Sequence, residues 1–246
     1  MEGKAAAIYI GTSGWNYKHW KGPFYPEDLA ARDWFAYYAE RFHTVEINNS
    51  FYKLPEKKTF EQWADSAPEG FLFSVKASRY ITHTKKLKDP QEPVGRFMEN
   101  ARGLGEKLGP VLFQLPPRWK CNPKRLDGFL EALPEDCRCA VEFRDESWWD
   151  PRIYEVLRAK NAAFCIFELE GRQSPMEVTA DFVYIRLHGP EEAYQGLYDD
   201  DVLSEWASAI LQRAGEGIDV YCYFDNDENG YAARNALRLQ QLAGVL

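Results

Sequence analysis

Eight short apolar runs, spread along the whole chain, constrain the fold more than any other feature of the sequence. They are Ile8-Tyr9-Ile10, Val45 to Ile47, Phe71 to Val75, Val111 to Phe113, Ala140 to Phe143, Ala163 to Phe167, Val183 to Leu187 and Val220 to Phe224. Most are too short for helices, rich in β-branched and aromatic residues, and followed by Gly, Pro, Asn or Asp, so they read as buried strands. Between them lie amphipathic stretches: Leu29 to Phe42, Val94 to Leu108, Pro123 to Leu133, Pro151 to Lys160, Asp200 to Ala214 and Gly230 to Leu242. Pro151 stands at a first helical position behind Asp150 as a cap. Strand alternating with helix implies a parallel sheet, and eight repeats favour a barrel over a doubly wound open sheet. The chain has 246 residues, close to the ~250 typical of an α/β (β/α)8 TIM barrel. No linker or low-complexity tract interrupts it, so the expectation is a single domain over residues 1–246.

Composition narrows the partners. A formal net charge of −8 opposes broad affinity for nucleic acid or anionic membranes. No apolar run approaches the ~18 residues of a membrane span, and the opening Met-Glu-Gly reads as neither a targeting nor an anchoring segment. The five cysteines are odd in number, and Cys137-x-Cys139 lacks a second pair at zinc-finger spacing. Reduced thiols in a cytoplasmic setting are expected. The eight Trp and fourteen Tyr exceed the needs of a barrel core, which points to aromatics on a binding surface.

Side chains of a strand alternate between two faces. If the apolar face meets the helices, the other face carries the function. Val45 and Ile47 then face out while Glu46 and Asn48 face in. Val141 and Phe143 face out, Glu142 and Arg144 in. Val183, Ile185 and Leu187 face out and leave Tyr184, Arg186 and His188 inside. Cys222 and Phe224 leave Tyr221, Tyr223 and Asp225. The third strand contributes Ser74, Lys76 and Ser78, the fourth Gln114, the first Gly11 and Ser13. The parity of the sixth strand is ambiguous, so the direction of Glu168 is open. A barrel interior is normally packed with branched apolar residues, and charges there are costly unless paired. A ring of them at the strand ends is therefore either a structural ion-pair network or a functional pocket.

As a pocket, the ring suits a small-molecule ligand bearing a carboxylate or phosphate. Arg144 and Arg186 would grip the anion, and Glu46, Glu142 or His188 would move the proton as catalytic groups. Asn48, Lys76, His83, Gln114, Trp148 and Asn226 complete the expected binding set. The cations in the ring oppose a metal centre, and no cofactor is called for. Aromatics crowd the strand-to-helix loops: Trp15, Tyr17, Trp20, Phe24 and Tyr25 in the first, Phe51 and Tyr52 in the second, Trp148 and Trp149 in the fifth, Tyr194 and Tyr198 in the seventh. Each is either rim packing or a stacking surface for a sugar or base. The basic residues Arg79, His83, Lys85, Lys86 and Lys88 read first as a solvated loop. Gly103-x-Gly105 with Gly109 follows a helix rather than a strand, so it is no dinucleotide fingerprint. The leading reading is acid–base chemistry on a small anionic or sugar-like molecule. The alternatives are a metal-dependent phosphoesterase or nuclease-like enzyme, with Glu46, Glu142, His188 and Asp225 as a cage, and a ligand-binding protein without turnover. Nucleic acid is the less favoured partner.

These residues carry a family resemblance. Gly11-Thr-Ser-Gly-Trp15-Asn-Tyr17 with Trp20, Phe24-Tyr-Pro26, Thr44-Val-Glu-Ile-Asn48, Ser50-Phe-Tyr52, Phe73-Ser-Val-Lys76 and Ile81-Thr-His83 open the set. Val111-Leu-Phe-Gln-Leu-Pro-Pro117, Glu142-Phe-Arg144 with Ser147-Trp148, Tyr184-Ile-Arg-Leu-His-Gly189, and Phe224-Asp-Asn-Asp227 with Gly230-Tyr-Ala232 and Asn235-Ala236 complete it. In this order the chain resembles the YecE-like family, a domain of unknown function numbered 72. The resemblance implies a (β/α)8 barrel and no established activity. Asp145 stands where the family often has His, and Asp225 where Asn is common, which implies a more acidic pocket here.

Overall fold

The computed structural model describes residues 6–190 and 192–245; the opening Met-Glu-Gly lies outside them. The strands are β1 (Ile8–Thr12), β2 (Thr44–Ile47), β3 (Leu72–Lys76), β4 (Leu108–Gln114), β5 (Cys139–Glu142), β6 (Ala163–Leu169), β7 (Arg172–Gln173), β8 (Phe182–Leu187) and β9 (Asp219–Phe224). The helices are α1 (Trp34–Ala39), α2 (Lys57–Ser66), α3 (Gln91–Ala101), α4 (Pro123–Leu130), α5 (Pro151–Ala159), α6 (Asp200–Gly215) and α7 (Tyr231–Ala243). The strand order β1-β9-β8-β6-β5-β4-β3-β2, with β7 hanging on β6, is that of a (β/α)8 barrel. All eight expected runs are strands. No helix among the described residues is long and apolar enough to cross a membrane. None of the five cysteines is in a disulfide.

The chain divides into two compact units. The first holds residues up to Glu46, Ile166–Ser174 and the chain from Phe182 onward. In it β1 and β8 flank β9 in parallel, with Gly11 and Arg186 both level with Tyr223. A bridge from Ser13 to Glu46 sets the end of β1 beside β2. The tyrosines of one parity pack together: Tyr9 on Tyr221 at 4.9 Å, Tyr184 against Tyr223 at 5.3 Å, and the Tyr223 hydroxyl 2.7 Å from Thr44 Oγ1. Such a polar-tipped aromatic layer needs every hydroxyl partnered.

The second unit holds Ile47–Cys165 and Pro175–Asp181. Its ladder runs β3, β4, β5 and the start of β6, with Val111 level with Val75, Gln114 with Glu142 and Ala163 with Ala140. Phe113 packs on Phe129 of α4 at 5.0 Å, and Tyr154 of α5 on Phe164 at 5.4 Å. These rings fix which parity meets the helices.

The register resolves the sixth strand. Ala163 shares a face with Ala140 and Glu142, so Cys165 and Phe167 do too. Glu168 is on the opposite face, where its carboxylate accepts from the Trp206 indole of α6 at 3.2 Å. Burial pushes that carboxyl up from its ordinary value. Residues Ala163 to Phe167 are apolar on both faces, which is why the pattern alone could not orient them.

Several elements differ from the sequence expectation. The first helical stretch is a 3₁₀ turn at Ala31–Asp33 followed by the short α1. The second, Val94 to Leu108, resolves into α3 and a 3₁₀ turn over Arg102–Lys107, within which Gly105 is left-handed at φ 57°. Gly103 lies there because a Cβ would come within 2.6 Å of the Lys57 carbonyl of α2. Helix α2 itself was not anticipated: of its ten residues only Phe60 is buried, so its apolar stripe is nearly silent.

Gly11 is a close backbone approach in the first unit, since a Cβ there would sit 2.4 Å from the Thr44 carbonyl oxygen. Backbone cannot rotate away as a side chain can. Gly11→Ala is therefore expected to destabilise by about 1–3 kcal/mol, read from urea unfolding. A loss within ~0.5 kcal/mol would contradict this packing.

Candidate functional site

The charged residues fall into two groups, one in each unit. In the first, Arg186 near the end of β8 is fully buried. Its guanidinium meets Glu46 of β2 through Nε at 3.0 and 3.2 Å and through Nη2 at 2.7 Å. Nη2 also donates to Asp225 at 2.8 Å and to Ser13 at 3.3 Å. Nη1 lies 3.2 Å from His188 Nε2, and His188 Nδ1 lies 3.1 Å from Asp225 Oδ2. Arginine has donors only. His188 Nε2 must therefore accept and Nδ1 must donate, which fixes a neutral tautomer with both ring nitrogens engaged. Glu46 is as fully used: Ser13 Oγ and the Tyr184 hydroxyl donate to it at 2.5 and 2.7 Å. A buried guanidinium so held is an ion-pair frame linking the ends of β1, β2, β8 and β9.

Two residues at the edge of this frame, Tyr17 of the first-loop aromatics and Asp227, stand outside the expected catalytic and binding set. The Tyr17 hydroxyl donates to the Ser13 carbonyl at 2.6 Å, and burial with the nearby Asp225, Asp227 and Glu46 carboxylates raises its phenol well above the usual value. Asp227 has its carboxyl partly exposed beside His19 Nε2 at 3.5 Å. Burial, then Asp225, raises its carboxyl above the ordinary range. The signal in the sequence was the second carboxylate of Phe224-Asp-Asn-Asp227. Asn226 is buried and works as a latch: its amide donates to the Gly196 carbonyl at 2.8 Å and to Asn235 at 3.0 Å.

In the second unit, Lys76, Gln114 and Glu142 are the last residues of β3, β4 and β5. Arg144 donates through Nε to Glu142, and the thiol of Cys165 lies 4.0 Å from the same carboxylate. Lys76 Nζ stands 4.5 Å over the Phe51 ring, and His83 meets Phe51 edge-on at 5.0 Å. Asn48 sits one residue beyond β2 with its amide oxygen buried and unpartnered. His83 is half-buried. Burial lowers its imidazole to about 4, helped by Arg79, Lys76 and Arg144 and opposed by Glu142. Three cations and one carboxylate thus act on one ring.

Other expected positions have packing work. Trp148 is fully buried, stacked on Phe143 at 5.0 Å, and its indole donates to the Trp119 carbonyl at 2.5 Å. Asp145 accepts from Ser147 N at 3.0 Å and from Lys120 at 3.3 Å, so it caps a turn. Trp20 and Tyr25 of the first loop are fully buried, with Tyr25 stacked on Trp34 at 5.0 Å. Tyr52 and Tyr80 instead stand 71% and 50% exposed.

A (β/α)8 barrel with charged side chains at the C-terminal ends of its strands defines the class. The chain belongs to the family described as protein of unknown function DUF72, whose model matches residues 9–245. It is 26% identical to the UPF0759 protein YunF of Bacillus subtilis over 97% of this chain and 95% of that one. It is 28% identical to the UPF0759 protein YecE of Escherichia coli K12, over 56% of this chain and 48% of that one. A solved DUF72 family protein from Thermotoga maritima is 30% identical with a TM-score of 0.88, covering 97% of this chain and 99% of its own. Another from Enterococcus faecalis shares the fold at 21% identity and a TM-score of 0.81, over 98% and 99% of the two chains.

Two outcomes follow from this geometry. Arg186→Met leaves Glu46 and Asp225 as buried carboxylates without their cation and is expected to cost about 3–5 kcal/mol, visible as a much lower thermal midpoint. A midpoint near that of the unaltered protein would overturn the frame. His83 should titrate by proton NMR with a midpoint of about 4. The unfolded chain takes up that proton near ~6.5, so between these values the unfolded state binds more protons. Stability should therefore fall as pH drops through this window, and His83→Gln should remove that part of the loss. Equal acid sensitivity of the two proteins in urea unfolding would contradict it.

Proposed function

We propose that this protein is an enzyme acting by acid–base chemistry, without a metal, on a small molecule bearing an anionic group. The cluster around Phe51 and His83 in the second unit is its substrate-handling part. The observation that carries this reading is Lys76 Nζ 4.5 Å over the Phe51 ring, which the half-buried His83 meets edge-on at 5.0 Å, together with Arg144 donating to Glu142; Lys76, Arg79 and Arg144 all act on His83. Lys76 supplies a compact charge and Arg144 a planar fork of donors, a combination suited to a carboxylate or phosphate. Glu142, oriented by Arg144 Nε, is the group assigned to move the proton. His83 serves as a neutral hydrogen-bonding partner, with Asn48 and Gln114 as flanking amides.

In this reading Glu46, Arg186 and His188 are a positioning frame rather than reacting groups. Both nitrogens of His188 and the carboxylate of Glu46 are engaged with Arg186, Asp225, Ser13 or Tyr184. A metal cage of Glu46, Glu142, His188 and Asp225 would have to displace Arg186 from both its carboxylates, which favours the metal-free alternative. The free thiols fit a cytoplasmic protein.

Calorimetric titration with inorganic phosphate, oxalate and D-gluconate tests this. At least one should bind, weaken about tenfold or more (~1.4 kcal/mol) in Lys76→Met and in Arg144→Met, and raise the His83 midpoint on binding. No binding, or binding by both variants as tight as by the unaltered protein, would overturn the reading.

A further inference from the structure

Outside these charged clusters, the second unit carries two depressions that share Leu54. One, of about 550 Å³, is lined by Asn49, Tyr52, Lys53, Leu54, Pro55 and Glu56, among others. Its neighbour, of about 200 Å³, is walled by Ser78, Tyr80, Glu92, Pro93, Arg96 and Phe97. Each has one exposed tyrosine at its edge, Tyr52 or Tyr80. Tyr52 is not loosely hung: its ring abuts the buried Phe51 edge-on at 5.1 Å. The wall below it is also tied down, since the Asn100 amide donates to the Pro55 carbonyl at 2.9 Å. Rigid rings of this kind offer a large, flat apolar face at small entropic cost.

From these surfaces we infer that the two depressions form a binding groove for a neutral oligosaccharide, with one sugar ring on Tyr52 and the next on Tyr80. The charges on the walls cancel, Lys53 and Arg96 against Glu56 and Glu92, so the groove attracts neither polyanion nor polycation. Carboxylates are acceptors only, so a ligand lying against Glu56 and Glu92 must bring donors. The hydroxyls of a sugar supply them, and they accept in turn from Lys53, Arg96 and the Asn49 amide. The C–H face of the same ring covers a tyrosine. A proline-rich peptide, the other common occupant of an aromatic groove, presents mainly carbonyl acceptors there and would leave both carboxylates desolvated without donors. The inference does not rest on the anion reading, because none of the lining residues belongs to that cluster.

The test is NMR titration of the whole protein with maltohexaose, cellohexaose and chitohexaose. At least one should shift resonances of Tyr52 and Tyr80 at millimolar concentration. Tyr52→Ala and Tyr80→Ala should each weaken it about tenfold (~1.4 kcal/mol), with circular dichroism unchanged. Lys76→Met, which removes the proposed anion grip, should leave the sugar affinity as it was. The inference is overturned if none of the three sugars perturbs either tyrosine, if both tyrosine variants bind as the unaltered protein does, or if a proline-rich decapeptide binds there and the sugars do not.

Discussion

The Arg186 guanidinium, buried between Glu46 and Asp225, is the interaction on which the first unit depends. A cation with no exposure is tolerated only where good geometry and further hydrogen bonds offset its desolvation. Here Glu46 meets it through two nitrogens, Asp225 and Ser13 complete the set, and His188 is turned to accept. Each partner comes from a different strand end. The network therefore fixes β1, β2, β8 and β9 relative to one another, and it dictates the tautomer of His188 through donor and acceptor chemistry alone.

That consequence separates two roles that look alike in a list of charged residues. A histidine with both nitrogens committed is poorly placed to exchange a proton, and a glutamate accepting from an arginine, a serine and a tyrosine is poorly placed to take one. The charged residues of the second unit are arranged otherwise. Lys76 lies on an aromatic face, Arg144 orients one carboxylate, and His83 is half-buried, its imidazole lowered first by burial and then by its cationic neighbours. The cations that add to this effect of burial mark a place where negative charge is welcome.

Much of this was legible in the sequence because period-two alternation is strict where one strand face is polar. Glu46, Tyr184 and Arg186 share a face in the structure as their parity implied, and so do Gln114 and Glu142. The sixth strand was not legible, because Ala163 to Phe167 is apolar on both faces and only its register with β5 orients it. Helix α2 escaped because a single buried phenylalanine makes no stripe. The division between the saturated frame around Arg186 and the cluster around His83, the proposed substrate-handling part, could not be read either. Parity says which side chains share a face, whereas the saturation of Arg186 depends on distances between strands far apart in the sequence. Trp148 shows the same limit: its position in a loop suggested a platform, but the carbonyl of Trp119 and the ring of Phe143 claim it for the core.

Arg186 is occupied by the protein's own carboxylates, and the cluster with Lys76 and Arg144 is the proposed ligand site. A crystal structure with oxalate bound tests this most directly. The expected result is an oxalate oxygen within hydrogen-bonding distance of Arg144 or Lys76, with the contacts of Arg186 to Glu46 and Asp225 unchanged. Oxalate seated on Arg186, with Glu46 or Asp225 displaced from it, would contradict it.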